Sequence, residues 1–305
     1  MIKELVESIL DRWEIDHPII KDMYKKDSED TDKIICRIST NNQDFIIKGI
    51  LSKEESIIQS NVQAHLFLGN EHSMAPKLFP TREGAYYIQE QGYYFYLMEY
   101  IDGRSMEENV FDEYKIGQFA HKLHSLKGYN ILSPFTQSKK QYYEWFSDRD
   151  FKHKFDEILD SLPDFSSLSQ CFVHTDIGPH NTMVRQNGEV VFIDLDDSGI
   201  GSRYLDLGWP FIMQFVDFNQ KTKEMNYRFD LAQSLLEGYY GDETLSKEEY
   251  DLIFQGAIQM HISYMQTYGT YAVDSLWKIL LFGIDQKEIL WERMKNSVYL
   301  QKNLK

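Results

Sequence analysis

Between residues 19 and 100 the chain repeats one device: a short apolar run closed by a polar, turn-forming stretch. Residues 19–24, 34–38 and 45–50 are such runs, separated by 26–32 and by Thr40-Asn41-Asn42-Gln43-Asp44. Runs this short, punctuated this way, predict three antiparallel strands in a meander. Ser52-x-x-Glu55 then reads as a capping box opening a helix to about residue 68. Two further strands are expected over 85–90 and 93–100, turned by Gln91-Gly92. Ahead of all this, Leu5, Val6, Ile9, Leu10 and Trp13 give residues 1–13 one apolar helical face.

After Asp102-Gly103 the period changes. Ile116, Phe119, Ala120, Leu123 and Leu126 set a helix over 106–126, and aromatics at 142–155 suggest another over 138–161. One more β-rich stretch spans 171–194, and everything beyond about 204 reads as helix. The expected class is therefore α+β: a β-rich N-terminal lobe (1–101) with one main helix, and a larger helical lobe (102–305). A cleft is expected between them near residues 100–104.

Composition removes several alternatives. The 305 residues carry 32 Lys and Arg against 48 Asp and Glu, a net charge of −16, which argues against a nucleic-acid partner. It suits a cationic small molecule, although surplus surface acid mostly serves solubility. Two cysteines cannot make a disulfide scaffold. No apolar run approaches the roughly 20 residues of a membrane span, so no membrane partner is expected. The opening MIKELVESILDRW carries acids throughout, and cytoplasm is the expected compartment. Oligomeric state is not legible.

The chemistry concentrates in CFVHTDIGPHNTMVRQNGEVVFIDLDDSGIGSRYLDLGWP, residues 171–210. His174-x-Asp176 is followed five residues after Asp176 by Asn181, and an apolar strand ends in Asp194-Leu195-Asp196-Asp197. Carboxylate and amide oxygens are hard ligands that suit Mg²⁺. A further aspartate can orient or deprotonate a hydroxyl. Gln186-Asn187-Gly188-Glu189 is a hairpin turn linking the Asn181 and Asp194 segments. Lys48 interrupts an apolar strand and shares a face with Ile46 and Ile50, a costly position unless an anion meets it.

These motifs resemble the aminoglycoside phosphotransferase and choline kinase superfamily, small-molecule kinases on the two-lobed protein-kinase-like fold. Asp196-Asp197 and Gly201…Asp206-Leu207-Gly208 are most similar to the homoserine-kinase-like and bacterial stress-response-kinase branch. The resemblance implies ATP and Mg²⁺ as cofactors and transfer of the γ-phosphoryl group to a hydroxyl of a small molecule, such as an aminoglycoside-like antibiotic, amino alcohol or sugar metabolite. It makes Asp176 the catalytic base, and Asn181, Asp194 and Asp196 the metal ligands. His174 and Asp206 become braces of the catalytic loop. Lys48 falls to the ATP phosphates, with Glu55 as its favoured partner on the helix. Met98, Glu99 and Ile101 fall to an adenine-binding hinge at 98–103. Tyr142, Trp145, Asp148, Asp150, Trp209, Tyr239, Tyr264 and Trp277 are candidates for the acceptor wall.

Two departures stand against the pattern. The first strand turn, residues 25–32, has no glycine and four acids, so it offers phosphates no glycine loop. The mid-helix positions offer Gln59, Asn61 and Gln63 where a glutamate is expected. The alternatives are a protein Ser/Thr kinase on the same scaffold, disfavoured because no A-P-E segment is present, and a nucleotide-binding pseudoenzyme or interaction module.

Overall fold

The computed structural model describes residues 2–27, 32–134, 149–268 and 272–295. Tyr142, Trp145 and Asp148 lie outside the described residues, as do residues 28–31 of the first strand turn. The chain divides into two compact units, Met1–Arg104 with Met183–Asp196, and Ser105–Thr182 with Asp197–Lys305.

The first unit is an antiparallel sheet with a helix on each face. Its elements are α1 (Ile2–Ile9), β1 (Ile19–Asp27), β2 (Asp32–Ser39), β3 (Asp44–Leu51), α2 (Glu55–His65), β4 (Leu78–Phe79), β5 (Ile88–Glu90) and β6 (Tyr93–Glu99). The sheet order is β1-β2-β3-β6-β4, with β5 also on β6. Alternation sorts the strand residues. Ile34, Cys36, Ile38, Phe45, Ile47, Phe95 and Leu97 pack against Leu5, Val6 and Ile9 of α1. Ile50, Tyr94 and Tyr96 face the other way, onto Ile58 and Val62 of α2. Gln91 and Gly92 both have positive φ, 50° and 83°, as a tight β5–β6 turn of the right twist requires.

Next come β7 (Gly103–Ser105), β9 (Thr182–Arg185) and β10 (Val190–Phe192), which form a small sheet ordered β10-β9-β7; β8 (Gln170–Val173) pairs elsewhere, as below. The 183–196 hairpin belongs to the first unit, not to a continuous 102–305 lobe as chain order suggests. Three ties hold it: the Phe192 N–H donates to Met74 O, the Gln186 amide donates to Asp102, and Arg185 grips the Glu99 carboxylate with two nitrogens.

The second unit is built on α3 (Val110–His124), α4 (Lys152–Asp160), α5 (Arg203–Met213), α6 (Phe229–Tyr240), α7 (Lys247–Tyr268) and α8 (Val273–Lys295). Asn109 caps α3 by accepting the Phe111 and Asp112 amides. Close crossings need bare backbone. A Cβ on Gly117 would come within 2.1 Å of Leu235 O, and one on Gly238 within 2.0 Å of Tyr114 O, so α3 and α6 touch through paired glycines. Gly208 and Gly256 do the same for α5 and α7. β8 pairs with β11 (Gly199–Ser202), and β12 (Val216–Phe218) with β13 (Met225–Tyr227).

Three local expectations are corrected. The capping box does not form: Ser52 Oγ accepts the Glu54 N–H in a turn of its own, and α2 begins at Glu55 without a side-chain cap. The strand expected over 85–90 narrows to Ile88–Glu90. Beyond residue 204 the chain is not all helix, because the β12–β13 hairpin interrupts it.

Candidate active site

In the first unit, Lys48 sits at the centre of a polar cluster. It lies on β3 opposite Tyr96 of β6 and Ile35 of β2, on the α2 side of the sheet. Only 3% of it is exposed. Its Nζ donates to Asp194 Oδ1 at 2.8 Å and to Asp196 Oδ1 at 2.7 Å. Burial works against the ammonium charge, yet Asp196, Tyr96 and Asp194 outweigh it and hold the Lys48 pKa well above its ordinary value. Asp194 is pushed well below the usual carboxylate range, first by Lys48 and further by Lys33, against its own burial. Burial and Lys48 together hold neighbouring His65 down to about 4, so it is neutral.

Two members of this cluster, Lys33 and His65, are absent from the sequence reading, which names a third, Asn61, only among the positions where a glutamate is expected. Lys33 donates to Asp196 Oδ2 at 2.5 Å. Asn61 Nδ2 donates to Asp196 Oδ1 at 3.3 Å. His65 lies on the same buried face of α2 as Asn61. Strand alternation could have found Lys33, since Ile34, Cys36 and Ile38 take the core face and leave Lys33 on the other. Glu55 is corrected: its carboxylate accepts the Tyr87 hydroxyl at 2.6 Å on the exposed surface and makes no pair with Lys48. It opens α2, two turns before the face that meets the cluster.

The hinge residues are also placed. Met98 is half-buried on β6, registered with Ile46 and Leu78. Glu99 is committed on both sides: its N–H donates to Lys77 O at 2.8 Å and its carboxylate holds Arg185. The Glu99 N–H is therefore spent within the unit. Ile101 follows the strand and is buried.

In the second unit, the loop after β8 carries Asp176 and Asn181. Thr175 has φ 74°, a left-handed conformation that a β-branched residue rarely takes. Asp206, fully buried on α5, fixes it. Its Oδ1 accepts the Thr175 N–H at 2.6 Å and its Oδ2 accepts the His174 N–H at 2.8 Å. His124 Nε2 stands 3.0 Å from the same Oδ2, and His124 Nδ1 is 2.9 Å from the Tyr239 hydroxyl. Tyr239 is thus part of this brace.

The loop then aims Asp176. Asn181 Nδ2 donates to Asp176 Oδ2 at 2.8 Å, and His180 Nε2 lies 3.1 Å from Asp176 Oδ1. Burial raises the Asp176 pKa, but the hydrogen bond and charge of His180, with His174 and Asn181, more than reverse it, and the carboxyl is held below its ordinary value. A Cβ on Gly178 would strike the Gln214 side chain, whose amide donates to Ile177 O. Among the acceptor-wall candidates, Trp277 stacks on Phe151 at 4.6 Å and Trp209 meets Tyr264 edge-on at 6.0 Å. Asp150 is exposed.

Among the described residues no three His, Cys, Asp or Glu gather to hold a metal by themselves. Two carboxylates still fit Mg²⁺, which keeps several waters and commonly takes one or two protein carboxylates plus substrate phosphates. Asp194 suits that use. Its carboxylate is 47% exposed despite the Lys48 bond, and its backbone is held at φ 59°.

Residues 58–223 match the model of the phosphotransferase enzyme family, and the chain belongs to that family. No curated protein matches it significantly. Its fold is similar to that of a microcompartment-associated aminopropanol kinase: 14% identity, 96% of this chain and 98% of that one covered, TM-score 0.64. It is also similar to an amicoumacin kinase (15%, 94% and 92%, 0.60) and to a spectinomycin phosphotransferase (16%, 95% and 97%, 0.56). The fold class is α+β, two-lobed and protein-kinase-like, with a smaller β-rich N-terminal lobe and a larger helical C-terminal lobe. Among the described residues no helix is long and apolar enough to cross a membrane.

Proposed function

We propose that this chain transfers the γ-phosphoryl group of Mg·ATP to a hydroxyl of a small, amine-bearing molecule. The observation that carries this reading is the Lys48 cluster. A lysine buried to 3% exposure is kept charged by two carboxylates, one of them half open to solvent. Such an arrangement is expensive to build for stability alone. It suits a phosphate group that takes over Lys48 while Asp194 and Asp196 turn to a divalent ion, with Asn181 as a further ligand. Bound Mg²⁺ would supply neutralisation of the phosphate oxygens. Asp176, ionised and aimed by Asn181 and His180, would accept the hydroxyl proton. Met98 and Ile101 would flank the adenine, and the carbonyl of Glu99 remains for a main-chain contact.

An amine-bearing acceptor is supported by the acidic balance of the chain. It is supported too by the compounds two similar structures are named for: aminopropanol, and ethanolamine for a Plasmodium vivax kinase (14% identity, 87% and 81% covered, TM-score 0.57). Motif detail around Asp196-Asp197 and Asp206 supports a relation to the homoserine-kinase-like and bacterial stress-response-kinase branch.

The test is Mg·ATP consumption across amino alcohols, aminoglycosides, homoserine and choline. One acceptor should raise turnover well above background. Asp176→Asn should lower kcat for it by about 10²–10⁴-fold, the usual range for a lost general base, and leave nucleotide affinity within about threefold. Unchanged transfer by Asp176→Asn would remove the base assignment.

A further inference from the structure

The inward stripe of α2 buries Ile58, Asn61, Val62 and His65, spaced three, four and seven residues from the first, so its polar positions are an amide and a neutral imidazole. Asn61 is 1% exposed. Its Nδ2 donates to Asp196 Oδ1, the same oxygen that accepts Lys48 Nζ. That bond fixes which way the amide faces, because turning it would set Oδ1 against a carboxylate. Asn61 Oδ1 is then left buried with no hydrogen-bond partner among the described residues. A buried acceptor without a donor costs about 1–3 kcal/mol, and Lys48 Nζ, which shares the Asp196 oxygen with the Asn61 amide, is a donor within the same cluster.

We propose that Asn61 is the positioning residue for Lys48 when nucleotide is bound, a neutral substitute for a helix glutamate. This rests on the proposed roles of Lys48, Asp194 and Asp196. In the free protein the two aspartates balance Lys48 and Lys33. Once both aspartates turn to a divalent ion, Lys48 loses its carboxylates but must stay aimed at the phosphates. Asn61 Oδ1 then accepts from the ammonium and is no longer orphaned. Being neutral, it orients Lys48 without cancelling its charge. That leaves more positive potential for the phosphates in a chain whose first strand turn has no glycine.

Two variants separate the acceptor from the donor of this amide. Asn61→Leu keeps the shape and removes both. Asn61→Asp keeps acceptor oxygens and removes the N–H₂ that clamps Asp196. The readout is the affinity of a non-hydrolysable ATP analogue, measured with and without Mg²⁺ on protein shown folded by its thermal transition. A hydrogen bond to a charged group is worth about 1.5–3 kcal/mol, so Asn61→Leu should lower the Mg²⁺-dependent gain in affinity by about tenfold or more. Asn61→Asp should keep more of that gain than Asn61→Leu, because it still offers Lys48 an acceptor, although its charge offsets part of the Lys48 charge and lowers the thermal midpoint of the free protein. An unaltered gain in Asn61→Leu, or an equal loss in Asn61→Asp, overturns the inference and leaves the kinase reading standing. A wild-type protein whose nucleotide affinity ignores Mg²⁺ overturns both.

Discussion

Asp206 shows how much one side chain can carry. It accepts two backbone amides, one from a threonine in a left-handed conformation, and faces His124 as well. Asp206→Asn preserves the shape but sets an N–H₂ group where Oδ2 now meets donors. At least one buried donor is then unpaired, at about 1–3 kcal/mol each. The expected result is a thermal midpoint lower by about 5–10 °C for a unit of this size, with transfer falling further than the folded fraction because Thr175 is released. A midpoint within 1–2 °C of wild type would show that the loop is held by something else. The sequence alone exposed Asp206 as a brace through its motif. It could not expose the partners, since His124 and Tyr239 are ordinary helix residues until packing brings them to one oxygen.

At the scale of elements, α3 contains a second buried acid with a different logic. Glu113 is 1% exposed and neither carboxylate oxygen has a partner among the described residues. Burial, with the nearby charges of Glu108 and Asp112 and partial relief from Arg228, raises its pKa to about 8. The folded chain therefore holds this proton more tightly than the unfolded chain does. Stability from this group is full below about pH 4.5, declines as pH rises, and is spent above about pH 8. Each tenfold in proton affinity is worth about 1.4 kcal/mol, so the effect is large enough to read. Glu113→Gln should flatten the decline, and its advantage in thermal midpoint should grow by several degrees between pH 5.5 and 8.5. Parallel curves for the two proteins would show that Glu113 does not titrate there. Apolar periodicity had already drawn α3 from Ile116, Phe119, Ala120 and Leu123. A carboxyl on the buried side of its first turn has no such signature, because acids near a helix N-terminus are commonplace there for their favourable dipole.

For the whole molecule, chain order was a sound guide wherever neighbours in sequence pair with each other, as in β1-β2-β3 and β5-β6. It failed where pairing is distant. The 183–196 hairpin returns to the first unit through Arg185–Glu99 and Phe192–Met74, contacts of about a hundred residues' separation that no local pattern announces. Net charge is the other whole-molecule property, and it makes opposite demands on the two proposed substrates. At −16 the protein attracts a cationic acceptor and repels Mg·ATP, which is an anion. Salt screens both over a Debye length of about 10 Å at 0.1 M. Raising ionic strength from about 20 to 300 mM should lower kcat/KM for a doubly charged amine acceptor by about threefold or more. The same change should leave kcat/KM for Mg·ATP level or raise it, and a neutral alcohol acceptor should be indifferent. If all three decline together, salt is acting on the fold and not on encounter, and the acidic surface has no part in choosing the acceptor.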